Sequence, residues 1–298
     1  MRRSALRADV LMLVTAMIWG SGFVAQMSGM DHIGPFLYSG LRFALGTLCL
    51  LPLVLWRGSR DQVGAEPFLT RGLLIGGGLM GLALALGINL QQVGLLFTSV
   101  TNAGFITGLY VIVVPLLGLL IGHKTGFGTW LGAVLAVVGM FLLSVGDNFQ
   151  VSSGDWLQLI GAFVWGGHVV LVGVFAGRHD VIRLAFLQFA TCSLISLLFA
   201  LFFETWQWDA IIAAGPAILY GGVVAVGIGY TLQVIAQKDA IASHAAIIFS
   251  LEAVFAAIFG AWLLSESLQM RGYVGCALML CGMLAAQLWP KKTQPLPV

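Results

Sequence analysis

Charge is what this 298-residue chain has least of: Asp, Glu, Lys and Arg make up 9% of it, against 59% hydrophobic residues and a mean hydropathy of +1.00. A soluble globular domain carries about 25% charged residues. The 14 basic and 12 acidic residues present cannot clothe a water-facing surface of this size, which excludes most soluble readings. Long polar stretches are missing too. The longest hydrophilic gap runs only from Arg57 to Arg71 and leaves no room for a soluble domain. An excess of one sign is also absent: the net charge is +2, dispersed, with no Lys/Arg cluster interleaved with stacking aromatics, so nucleic acid drops out as a partner. Cysteine is scarce. Cys49, Cys192, Cys276 and Cys281 all sit in apolar runs, and the Cys276/Cys281 spacing is neither a CxxC pair nor half of a zinc ribbon. No disulfide, metal site or cofactor is expected.

What is present is apolar length. The stretches free of Asp, Glu, Lys and Arg are 10–30, 72–123, 125–146, 156–177, 184–203, 210–237 and 272–290. A hydrocarbon core of roughly 30 Å takes about 20 helical residues, so the run from Gly72 to His123 must cross twice, turning around Leu95 to Ser99. Segments 34–56 and 241–264 span only by accepting one charge each, Arg42 and Glu252. The expectation is an all-α polytopic membrane protein of ten helices, near 9–28, 34–56, 71–92, 99–121, 128–146, 155–176, 181–203, 214–236, 241–264 and 271–289. With both termini cytoplasmic, Arg2, Arg3, Arg7, Arg57, Arg60, Arg71, Lys124, Arg178, Arg183, Lys238, Lys291 and Lys292 fall inside and only Arg271 outside, as the positive-inside rule requires. The outer loops then collect Asp31, Asp147, Asp155, Glu204, Asp209 and Glu266. No cleavage site of a signal peptide follows the first segment.

The chain repeats itself. Shifted by 146 residues, Asp9, Leu11, Leu13, Ala16, Trp19, Gly20 and Val24 fall on Asp155, Leu157, Leu159, Ala162, Trp165, Gly166 and Val170. Slightly smaller shifts match Gln92 with Gln233, Ala103 with Ala245, Ile106 with Ile248, and Gly132 and Gly139 with Gly275 and Gly282. Residues 1–148 form the first five-helix repeat, 149–290 the second, and 291–298 a cytoplasmic tail. An odd helix number makes the second repeat run oppositely through the membrane, an inverted repeat typical of alternating-access transporters.

Ile18-Trp19-Gly20-Ser21-Gly22-Phe23, Gly40-Leu41-Arg42-Phe43 and Asn102-Ala103-Gly104-Phe105-Ile106-Thr107-Gly108-Leu109-Tyr110 with Val114-Pro115 carry a family likeness in the first half. The run Ala245 to Phe255, Leu264-Ser265-Glu266 and the Gly275/Gly282 helix carry it in the second. In that order they resemble the drug/metabolite transporter superfamily, specifically its EamA-type family. The resemblance implies ten helices around a central cavity and secondary active transport. It also implies export of an amino acid, metabolite or drug-like solute across the bacterial inner membrane. Expected partners are a small solute and membrane lipids, with transport either coupled to protons or facilitative and the chain a monomer or homodimer. Two departures stand out. His123-Lys124 replaces a frequent Gly-Glu pair, and Ala253 stands where a proline often follows the glutamate and bends the helix.

Candidate site residues follow from polarity inside spans. Glu252 should face the interior as a proton site, a counter-charge to a substrate amine, or a structural partner. Arg42 either pairs with a carboxylate such as Glu252, holds a substrate carboxylate in its planar fork, or snorkels outward. Trp19 and Trp165 are repeat mates at mid-span, able to flank one cavity or to pack helices beside Gly20 and Gly166. Ser21 and His168 extend that polar zone, and His244 lies two turns before Glu252 near the cytoplasmic entrance. Tyr110 belongs to the fourth-helix motif and is expected in the cavity. Asn89, Gln91, Gln92 and Asn102 predict an outer polar vestibule, Tyr230 and Gln233 an inner one. The chain is read as a transporter and not an enzyme. The alternatives are an intramembrane hydrolase using Ser21 with a histidine as base, which demands hydrogen-bond contact between them, and a non-transporting scaffold.

Overall fold

The computed structural model describes residues 2–60, 70–120, 122, 125–144, 152–265 and 269–289, and every regular element among them is helical. His123, Lys124, Asp147, Glu266, Lys291, Lys292, the boundary at 148–149 and the tail 291–298 lie outside the described residues. The first half contains α1 (Arg2–Met30), α2 (Pro35–Arg60), α3 (Arg71–Gly94), α4 (Val100–Gly108), α5 (Tyr110–Leu120) and α6 (Phe127–Ser144). The second contains α7 (Ser153–Ala176), α8 (Val181–Phe203), the short α9 (Trp208–Ala213) and α10 (Gly215–Leu219), a π-helical segment (Tyr220–Tyr230), α11 (Thr231–Gln237), α12 (Ala242–Phe249), α13 (Glu252–Leu263) and α14 (Met270–Leu288).

Eight helical stretches among the described residues are long and apolar enough to cross a membrane: Ala5–Met30, Pro35–Trp56, Arg71–Gly94, Val100–Leu120, Ser153–Ala176, Val181–Phe203, Gly215–Gln237 and Ala242–Leu263. The fifth and tenth expected spans appear as shorter apolar helices, Phe127–Leu142 and Met270–Ala285. Large apolar side chains project outward, with Leu120 82%, Phe202 81% and Trp262 75% exposed. That is the surface of a bundle solvated by lipid tails. Helix starts are set by side chains that accept from orphan N–H groups: Thr70 from Leu73, Ser99 from Asn102, Asp180 from Ile182 and Arg183, and Ser152 with Asp155 as a reciprocal capping box.

Lipid tails supply no hydrophobic drive between helices, so close packing must hold the bundle together. α6 and α14 pair along small residues: a methyl on Gly139 would overlap the Gly275 carbonyl oxygen, and one on Gly282 the Gly132 oxygen. The helix ends sort onto two faces. Arg7, Arg71, Arg178 and Lys238 lie on one, here the basic face, tied by His244 Nε2 to Asp9 Oδ1 at 2.9 Å. Asp31, Asp155, Glu204 and Asp209 lie on the other, the acidic face, tied by Thr98 Oγ1 donating to Asp155 at 2.7 Å.

Candidate functional site

Two of the spanning stretches are broken at mid-depth. Between α4 and α5, Leu109 (φ −60°, ψ −14°) tightens the chain so that its N–H reaches Ile106 O at 3.2 Å and Ile112 N–H reaches Leu109 O at 3.0 Å. Between α12 and α13, Ser250 and Leu251 do the same, with Leu251 N–H on Ile248 O at 3.1 Å and Ala253 N–H on Ser250 O at 3.2 Å. Such mid-helix three-residue turns re-aim the chain and mark hinges. The break before Glu252 forms with Ala253 in place, so no proline is needed for it. Tyr110 and Glu252 each open the helix after a break. They lie 142 residues apart, the offset at which Ala103 matches Ala245.

Both residues line a central cavity with Trp19, Gln26, Arg42, Gln91, Thr107, Trp165, Tyr230 and Gln233. Glycines make that approach possible. A methyl on Gly20 would overlap Phe255 and sit 2.8 Å from Glu252 O, pressing α1 off α13, and one on Gly166 would sit 2.6 Å from Val113 of α5. Each tryptophan therefore stands in the cavity wall because its glycine neighbour packs on a broken span, and the two readings of Trp19 and Trp165 hold together. Tyr230, at the end of the π-helical segment, is the hub of the aromatic wall. Its ring lies 4.6 Å from Trp19, 5.7 Å from Phe43 and 6.1 Å from Trp165, the last nearly parallel at 16°. π-helical turns are rare and recur at functional sites. The cavity holds about 30 Å³, room for one or two waters and not for a metabolite.

Arg42 is 2% exposed, so it does not snorkel. Its Nη2 donates to Gln26 Oε1 and Gln92 Oε1, both at 3.3 Å, and its guanidinium lies 5.1 Å from the Tyr38 ring centre and 5.4 Å from that of Phe43. These partners are neutral: the cation is held by amide oxygens and ring faces, and Glu252 stands elsewhere on the cavity wall. Glu252 interacts electrostatically with the Tyr110 hydroxyl without the geometry of a formed hydrogen bond. Four wall residues carry buried polar atoms with no protein partner, Trp19 Nε1, Arg42 Nε, Trp165 Nε1 and both side-chain polar atoms of Gln233, while Tyr110 Oη and Glu252 Oε1 have only each other. Buried polar atoms in folded proteins are nearly always paired. Several of these exceptions are concentrated on one cavity.

The remaining candidates scatter. His168 stands behind the wall, its Nε2 3.0 Å from Gln188 Oε1 and its ring edge-on to Trp165 at 5.7 Å. Gln92 sits behind Arg42, and its Nε2 also reaches Gln26 O at 3.4 Å. Ser21 is turned away from both histidines: its hydroxyl donates to Ile18 O at 2.8 Å and meets the Tyr220 hydroxyl, so the contact required of a hydrolase is not formed. Asn102 lies at the start of α4, its backbone N–H on the Ser99 cap, away from the cavity. His244 pairs with Asp9 at the basic face. The two expected vestibules are redrawn, because Gln91, Tyr230 and Gln233 share one cavity. Gln26 and Thr107 on the cavity wall, and the buried Gln158 and Gln188 outside it, are polar residues that the sequence reading did not single out. Charges served as punctuation in the sequence, and a buried amide in a charge-free run is the signal that would have found three of them. Among the described residues no group of three or more His, Cys, Asp or Glu comes together.

A helical bundle with a mid-depth polar cavity between broken spans is an arrangement that many membrane transporters share. The chain belongs to the EamA-like transporter family, whose model matches residues 6–145 and again 152–286. An uncharacterized transporter of Archaeoglobus fulgidus is 31% identical over 95% of this chain and 86% of its own length. The uncharacterized inner membrane transporter YedA of Escherichia coli strain K12 is 26% identical over 94% of this chain and 92% of its own. A crystal structure with 20% identity shares the fold at a TM-score of 0.75, covering 94% of this chain and 96% of that one. The protein is thus a multi-pass membrane transporter and not an enzyme.

Proposed function

We propose that the chain exports a small metabolite, amino acid or drug-like solute across the bacterial inner membrane by alternating access. In this reading ten helices form two inverted five-helix repeats, with both termini cytoplasmic and the basic face inward. The observation that carries it is the set of unpartnered polar atoms on four residues of one mid-depth cavity, beside a Tyr110–Glu252 pair with no other partner. Arg42 offers a buried cation with no carboxylate opposite it, suited to an anionic group, and Glu252 offers a carboxyl suited to an amine or a coupling proton. A solute pocket usually takes about 300–1,000 Å³, so the contracted cavity fits a closed state whose walls must part. The breaks at Leu109 and Ser250–Leu251 and the π-helical segment are where they would bend. The twofold match of the family model and the paired breaks at a common offset support the repeat.

A thermal-shift screen of amino acids and related metabolites on purified protein, followed by proteoliposome flux under imposed pH gradients, tests the reading. Stabilisation and counterflow by one solute class, both lost in Arg42→Met, are expected. Vesicles showing no counterflow for any member of a broad panel would overturn it.

A further inference from the structure

Above and below the central cavity the buried amides are treated differently. Towards the acidic face, Gln91 Nε2 donates to Thr107 Oγ1 at 3.1 Å, the Thr107 hydroxyl to Gln158 Oε1 at 3.3 Å, and Gln158 Nε2 to Gln91 O at 2.9 Å. That closed ring joins α3, α4 and α7. Towards the basic face the amides are as deeply buried, with Gln233 and Gln188 at 0% exposure and Gln237 at 1%, yet they lack that closure. Gln233 has no protein partner for either polar atom, and Gln237 Oε1, Gln188 Nε2 and His168 Nδ1 have none.

The unpaired groups form a file. Tyr230, Gln233 and Gln237 recur three and four residues apart and share one helix face, which starts in the cavity wall and ends one residue before Lys238. Gln237 Nε2 ties the file to α7 by donating to Val169 O at 2.8 Å, and His168, next to Val169, carries Gln188 on its other nitrogen. A polar group inside a bilayer must be satisfied by protein, water or solute. Apart from Ser39 Oγ, the acidic-face half meets this requirement internally and its ring loses three hydrogen bonds when it opens. The basic-face half has the Gln237–Val169, His168–Gln188 and His244–Asp9 contacts to lose, but five unpaired buried amide and imidazole atoms gain partners when it opens.

We propose that Gln233, Gln237, Gln188 and His168 line the solute's route between the central cavity and the basic face. This half of the bundle parts first, while the Gln91–Thr107–Gln158 ring keeps the acidic-face half shut. The inference rests on reading the central cavity as the solute site. It assigns a resting bias that alternating access alone does not supply.

Ala103 and Ala245 make a matched pair of reporters: both are 0% exposed, and each lies a turn inside its helix, α4 from the acidic face and α12 from the basic one. The full chain carrying Ala103→Cys or Ala245→Cys is placed in lipid nanodiscs, both faces in contact with a charged maleimide. Modified positions are read by peptide mass spectrometry, which separates them from the native cysteines. Ala245→Cys should react about tenfold faster, the factor set by one or two net hydrogen bonds lost on opening the ring. Adding Gln158→Leu to Ala103→Cys should remove most of that gap. Equal rates, a faster Ala103→Cys, or no effect of Gln158→Leu would overturn the proposal. Ala176→Cys, 0% exposed at the basic-face end of α7, replaces Ala245→Cys if the latter does not fold. Labelling needs no solute, so the two readings fail distinguishably: asymmetry without flux sinks transport, and with it the solute's route, while the opening bias stands; flux without asymmetry sinks the route alone.

Discussion

The broken span around Leu109 and the broken span around Leu251 are built alike and charged differently. Each tightens at the same offset, each is pressed by a glycine of a tryptophan-bearing helix, and each opens its second half on a residue that faces the cavity. In the first that residue is Tyr110, in the second Glu252. The geometry is duplicated while the ionisable group is not. A structural need for a polar group at the break would be met by a phenol in both places, so the carboxyl is the part that only the second repeat requires. Under the proposed mechanism, the difference gives a hinge to both halves and any charge coupling to one.

Breaking that asymmetry should have the largest effect. Glu252→Gln is expected to abolish pH-driven flux in proteoliposomes while leaving solute exchange partly intact, whereas Tyr110→Phe, which removes the phenol from the equivalent place, should reduce both modestly. Equal loss of both activities in Glu252→Gln would make Glu252 a structural or solute-binding group instead. Next comes the other buried charge. Arg42→Met should weaken solute binding by about tenfold to a hundredfold in thermal-shift titrations, since a hydrogen bond to a charged group contributes about 1.5–3 kcal/mol. Arg42→Lys should not restore it, because a point charge cannot reproduce the guanidinium's planar reach to Gln26 and Gln92. Tight binding retained in Arg42→Met would remove Arg42 from the site.

A smaller contrast compares the two sets of amides. Gln158→Leu strips partners from Thr107 and from Gln91 O and should cost about 1–3 kcal/mol of stability. Gln233→Leu leaves no protein group unpaired and should leave the melting temperature unchanged or raise it. The reverse order would show that the file is satisfied in the resting protein and the ring is not.

The smallest effect concerns the acidic face. There the Glu204 carboxylate accepts from Phe36 N at 2.8 Å and Leu37 N at 2.7 Å, bridging the end of α8 to the start of α2. Desolvation by burial pushes its carboxyl above the ordinary value of 4.5, and those two N–H groups oppose the shift. A raised folded-state value means the folded protein holds the proton more tightly than the unfolded chain. The contribution of Glu204 is therefore fully present below 4.5 and declines as pH rises through the raised value. Melting curves from pH 4 upward should show a gentle fall that Glu204→Gln flattens. An unchanged slope would place the titration in another group.

Much of this was legible in the residues. Charge-poor runs placed eight stretches long and apolar enough to cross, and the two charges inside them, Arg42 and Glu252, both reached the cavity. Trp19 and Trp165 were legible because the repeat made each point to the other. Ser21 and Asn102 misled, since neighbours in a motif can point to opposite sides of a helix: Trp19 faces the cavity, and Ser21, 200° further round, faces Tyr220. Tyr230 and Gln233 were placed by depth in a vestibule, and the π-helical segment before them alters the rotation that an ideal α-helix would assign.

The sequence by itself determined that this chain lives in a membrane, which segments are apolar enough to cross, and that two halves share a plan. Scarce charge and apolar length are properties of single segments against a solvent, and no partner helix is needed to read them. Only the tertiary structure decided that Arg42 rests on amide oxygens and not on Glu252, that Gln91, Thr107 and Gln158 close a ring while Gln233 stays unpaired, and that the spans break at Leu109 and Leu251. Those outcomes depend on which helix faces meet. In lipid that is settled by glycine-sized gaps and by the demand that each buried polar atom find a partner, neither of which is written in any one segment.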